Sequence, residues 1–182
     1  PRTPSTRPAT RDLQKTIEPA GGEVEADGSR ITEVGLGKAT DLQTVVAILP
    51  RLQDHESLSM ANAAITDADV NVLKGLPKLR SLGLMGSQVT DNGLEVMKTL
   101  PALRELNVIS TRVTDAGLAH LRGLDKLEYL GLKGDNITDA GLEHVGTLTG
   151  LTNLNLADTK VGDAGLVHLT KLTHLEAVNL SN

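Results

Sequence analysis

Cysteine, phenylalanine and tryptophan are absent from the 182 residues, and tyrosine occurs once, at position 129. Without cysteine there is no disulfide framework and no thiolate metal site, and the redox compartment stays open. Without the large buried areas that rings supply, a core has to be assembled from many similar aliphatic contacts, as repeat proteins do. Positive charge is also short: 18 Lys and Arg stand against 23 Asp and Glu, for a net charge of −5. Nucleic-acid binders carry a basic stripe and often stacking aromatics, so the composition speaks against that class. No run of roughly 18 apolar residues is present, and no membrane insertion is expected in this segment. The sequence opens at Pro1 without a methionine, which reads as a trimmed chain. A cell-envelope or secreted location is expected only if a removed signal preceded Pro1.

What the sequence does have is a period. Ile65-Thr-Asp-Ala68, Val89-Thr-Asp-Asn92, Val113-Thr-Asp-Ala116, Ile137-Thr-Asp-Ala140 and Val161-Gly-Asp-Ala164 recur every 24 residues without an insertion. An apolar triplet at spacing three follows each, as in Leu94, Met97 and Leu100, and then L-x-x-L-x-L, as in Leu103, Leu106 and Val108. Apolar residues two apart point to one face of a strand, and a triplet at spacing three suits one side of a short helix or 3₁₀ turn. Thr-Asp ahead of it offers side-chain oxygens to the free N–H groups of that turn. The glycines at 93, 117, 141 and 165 allow backbones of adjacent coils to approach. One such coil buries little by itself, so neighbours must stack.

These units resemble the bacterial, planctomycete-like leucine-rich-repeat family reading V-T-D-A-G-L-x-x-L-x-x-L-x-x-L-x-x-L-x-L, close to the GALA and cysteine-containing subtypes. The resemblance covers residues 31–182 and implies an α/β fold: a right-handed, curved solenoid with a parallel sheet on the concave face and short helices on the convex face. It implies no reaction, no cofactor and no metal. The family's ladder position, usually Asn or Cys, is filled by Ser87, Thr111, Asp135 and Thr159, whose short polar side chains can satisfy buried backbone groups.

The period extends backward through Leu58 and Met60 to Val34 and Leu36. About seven strands are expected, near 34–36, 58–60, 82–84, 106–108, 130–132, 154–156 and 178–180. Thr40-Asp-Leu-Gln43 reads as a capping box, opening an α-helix with Leu42, Val45, Val46 and Leu49 on one side. Residues 10–30 read as an N-terminal cap. Thr10 starts a short helix carrying Leu13 and Ile17, and Asp27-Gly28 turns an antiparallel strand into Ile31 to cover the sheet edge. Residues 1–9 read as a disordered linker. At the other end Leu175, Val178 and Leu180 make a last strand and the sequence stops in mid-unit at Asn182, with no evident C-terminal cap. The expectation is either a fragment of a longer chain or self-association through residues 161–182.

Candidate chemistry is sparse. Gly35-Leu-Gly-Lys38-Ala-Thr40 sits in phosphate-loop context but fails the full motif at positions 32 and 39, and reads as a strand-to-helix turn. His120, His144 and His168 form a column on the outer helices, which reads as surface and packing rather than a metal site. Asp67, Asp91, Asp115, Asp139 and Asp163 give one carboxylate per coil, too few for calcium, and read as helix caps. Asn136-Ile-Thr138 and Asn179-Leu-Ser181 match glycosylation sequons, which matter only in a eukaryotic secretory pathway.

What remains is the face of the sheet, where residues between the inward leucines stack into columns. Most are small and polar. The exception is a central cluster of Met85, Ile109, Tyr129 and Lys133 with Glu105 and Asn107, a group that suits a protein-binding hot spot. The expected function is non-catalytic binding of another protein on this face. The alternative implied by the GALA resemblance is an adaptor that selects a protein for ubiquitin ligation, which needs an F-box-like segment that residues 1–40 do not provide.

Overall fold

A computed structural model describes residues 14–27, 30–35, 47, 55–61 and 64–181. The linker expected over 1–9, most of the helix expected after Thr40, and residues 36–40 lie outside the described residues. The L-x-x-L-x-L segments form one eight-stranded sheet in chain order. The strands are β1 (Glu23–Asp27), β2 (Arg30–Gly35), β3 (Ser57–Ser59), β4 (Ser81–Gly83), β5 (Glu105–Asn107), β6 (Tyr129–Gly131), β7 (Asn153–Asn155) and β8 (Ala177–Asn179). β1 pairs antiparallel with β2, and every later pair is parallel. Each parallel partner lies 24 residues on, as in Ser81 to Glu105 and Glu105 to Tyr129. From β3 onward, strands begin one residue before the expected spans, because the residue ahead of each inward leucine already pairs across the ladder. Backbone bonds continue past the strand ends, with the Leu84, Val108 and Leu132 amides donating to carbonyls of Asn107, Gly131 and Asn155.

Each Thr-Asp (or Gly-Asp) pair opens a short helix: α1 (Asp67–Val70), α2 (Asp91–Leu94), α3 (Asp115–Leu118), α4 (Asp139–Val145) and α5 (Asp163–Leu166). All but α4 run on into a 3₁₀ turn. The period-two leucines and the spacing-three triplet close on one aliphatic core. Leu82, Leu106, Leu130, Leu94, Leu118 and Leu142 are all buried, each worth about 1.5–3 kcal/mol of removal from water. The core thins at the last coil: Leu154 and Leu156 are 2% and 1% exposed, whereas Val178 and Leu180, their counterparts one coil on, are 37% and 42% exposed.

The aspartates do not cap their own helices. Asp67 Oδ1 accepts the Thr90 amide at 2.8 Å and its Oδ2 accepts the Thr90 hydroxyl at 2.6 Å, one coil on. Asp91 holds Thr114 in the same way at 2.7 and 2.7 Å, and Asp115 holds Thr138 at 2.9 and 2.6 Å. Asp139 keeps only the amide bond, at 2.7 Å, because Gly162 stands where the threonine would be. The capping role falls to the threonine hydroxyls, which accept from Asn92 and Ala140 amides at α2 and α4. The recurring glycine permits the expected close approach of coils and meets a second demand as well. A Cβ at Gly93 or Gly165 would lie 2.5 Å from Oδ1 of the preceding coil's Asp67 or Asp139. The glycine makes room for a carboxylate as well as for the neighbouring backbone: a Cβ at Gly117 or Gly165 would also stand 3.1 or 2.9 Å from Cα of Asp91 or Asp139.

Candidate binding face

Alternation places Ser81, Glu105, Tyr129 and Asn153 in one column on the face opposite the helices, while Leu82, Leu106, Leu130 and Leu154 point inward. Glu105 is exposed and Tyr129 half-buried. The tyrosine lies along its own strand: a Cβ at Gly131 would stand 3.0 Å from Tyr129 Oη, 3.1 Å from Asn107 Oδ1 and 3.2 Å from Ile109 Cγ1. Gly131 is therefore the bare spot over which the ring tip, Asn107 and Ile109 converge.

Two shallow depressions flank the tyrosine. One, of about 210 Å³, is floored by Ser57, Ser59, Ser81 and Gly83 and closed by Glu105, Asn107 and Tyr129. The other, of about 390 Å³, is bounded by Glu105, Glu128, Tyr129, Thr152 and Asn153. Glu105 and Tyr129 belong to both. Glu105 Oε2 accepts the Ser81 hydroxyl at 2.9 Å.

The other expected site residues divide. Asn107 reaches the first depression, but its Oδ1 accepts the Ile109 amide at 3.1 Å and so fastens the turn after β5. Asn155 does the same for Ala157 after β7. Met85, Ile109 and Lys133 stand at the ends of the strands and line neither depression. Lys133 is committed to Asp158, Nζ to Oδ2 at 3.4 Å. Sequence columns hold Ser57, Ser81 and Asn153 in plain view, yet their small polar side chains read as a bland floor. Nothing in the sequence indicates that the tyrosine would lean along its own strand toward Gly131, with a hollow on either side.

Asp135, at the ladder position, is a buried carboxyl. It is 4% exposed. Its Oδ1 accepts both the amide and the hydroxyl of Thr111, at 2.7 and 3.1 Å, and its Oδ2 has no partner among the described residues. Burial pushes its carboxyl up to about 7, against the pull of the two Thr111 bonds. In the histidine column His144 Nδ1 accepts from Arg122 Nε at 3.0 Å, and no group of three potential metal ligands occurs among the described residues. No helix among the described residues is long and apolar enough to cross a membrane.

Comparison with known proteins fits this architecture. The Leucine Rich repeat family model matches residues 75–97 and 148–169. No curated protein matches the chain in sequence. Among solved structures, internalin C2 of Listeria monocytogenes superposes with a TM-score of 0.65 at 19% identity, over 96% of this chain and 93% of that one. A second Listeria internalin, internalin F, gives 0.52 at 21% identity, over 74% of this chain and 44% of the larger protein. The fold is that of an open leucine-rich-repeat solenoid, similar to the one seen in these bacterial internalins.

Proposed function

We propose that this chain is a non-catalytic protein-interaction module that holds a partner protein on the concave sheet face, centred on Glu105 and Tyr129. The observation that carries the reading is the pair of hollows on either side of Tyr129. The chain's one aromatic residue sits half-buried between them, on a floor otherwise made of hydroxyls, amides and glycine. Aromatic anchors beside shallow pockets are where interface energy concentrates, and a rigid parallel sheet presents them with little entropy left to lose. Leucine-rich-repeat proteins of the internalin kind support the same reading. The test is a photo-crosslinking amino acid placed at position 129 and, separately, at position 143 on the outer helices, in cells that make the protein. A discrete protein adduct from 129 and none from 143 is expected; adducts only from 143 overturn the reading.

A further inference from the structure

The charges around Tyr129 are unevenly matched. Arg104 is engaged by Glu128, Arg80 by Glu56 at 3.5 Å, and Lys133 by Asp158. Glu105 is the exception. It is exposed, it faces Tyr129 directly across the β5–β6 register, and its one bond is the Ser81 hydroxyl on Oε2. Its other oxygen has no protein partner among the described residues, and it borders both hollows. Neighbouring strands stand roughly 4.8 Å apart, so a group resting on the tyrosine ring lies within reach of that carboxylate. An aromatic face and a carboxylate side by side attract the same thing, a cation: the ring through its quadrupole and the carboxylate through charge-assisted hydrogen bonds.

Resting on the reading of this face as the binding surface, we propose that the partner presents an arginine or lysine side chain between Glu105 and Tyr129, from an extended basic segment laid across the strands. Ser57, Ser81, Thr152 and Asn153 line its path and supply donors and acceptors for a peptide backbone. An acidic segment meets the unpaired Glu105 as a like charge, and a purely apolar one leaves the carboxylate stripped of water and unpaired, which costs affinity.

The test is to pan a phage-displayed library of random peptides against the full chain and to measure the selected sequences as synthetic peptides. Peptides carrying Arg or Lys are expected to dominate. Their affinity is expected to fall about tenfold in Glu105→Gln and further in Tyr129→Ala, to weaken as salt is raised, and to be unchanged in Glu143→Gln. Selected peptides that are uncharged or acidic, yet lose binding in Tyr129→Ala, overturn the charge inference and leave the face as the binding surface. Basic peptides indifferent to both substitutions, or no enrichment of basic peptides, overturn it as well, and binders that ignore Tyr129→Ala also count against the face.

Discussion

At the scale of single residues, the coils are held together by a pair of atoms that sequence patterns read wrongly. A Thr-Asp dipeptide at a helix start reads as a local cap because the orphan amides are one turn away. In the fold the carboxylate instead reaches 23 residues forward to a threonine, a partner that no local rule nominates. One bridge is incomplete. Gly162 donates its amide to Asp139 but has no hydroxyl, and a Cβ there would meet Asp139 Oδ2 at 3.7 Å, ordinary contact, on extended backbone. Gly162→Thr is therefore expected to stabilise by about 0.5–1.5 kcal/mol, read as a raised urea midpoint at unchanged slope. Asp135 gives the opposite case, a polar group that costs. Its folded form holds a proton more tightly than the unfolded chain does, so its contribution is complete below the ordinary carboxylate value of 3.8 and is lost as pH rises through about 7. Asp135→Asn keeps an acceptor for Thr111 and removes the buried charge. The variant is expected to be more stable than the parent at pH 8, by about 1–3 kcal/mol, with the advantage shrinking at pH 5. An advantage that does not change between those two pH values would remove the charge from the explanation.

At the scale of elements, the strands and short helices were largely legible, because each rests on aliphatic spacing that neither charge nor context disturbs. Leu106, Leu130 and Leu154 announce the inward face of β5, β6 and β7 by position alone. The proposed binding face was legible only as columns. Glu105 and Tyr129 stand out chemically, but Asn107 turned out to be fastening a turn and Lys133 to be paired, because side-chain bonds two or more residues away are invisible to a column count. The core makes a direct forecast. Leu130 is fully buried, and Leu130→Ala is expected to cost about 2–5 kcal/mol. Each coil touches only its neighbours, so hydrogen exchange should speed most in β5, β6 and β7 and progressively less toward β3. An equal loss of protection from β3 to β8 would contradict coil-by-coil coupling.

At the scale of the whole molecule, the two ends of the sheet differ. β1 lies antiparallel over β2, while among the described residues β8 has only β7 beside it, with Val178 and Leu180 partly bare. The Asp-to-Thr bridge sets a different rule for the molecule's history. Every coil from α1 to α4 hands forward the same carboxylate and, from the next coil, receives the same amide, so one coil is an exchangeable part. Recombination that adds or deletes a whole period preserves each bridge and each inward leucine, whereas a cut one residue out of phase severs both at once. Length is thus the property this architecture can change most freely, and the span of its sheet face can grow or shrink without any residue of the existing coils being altered.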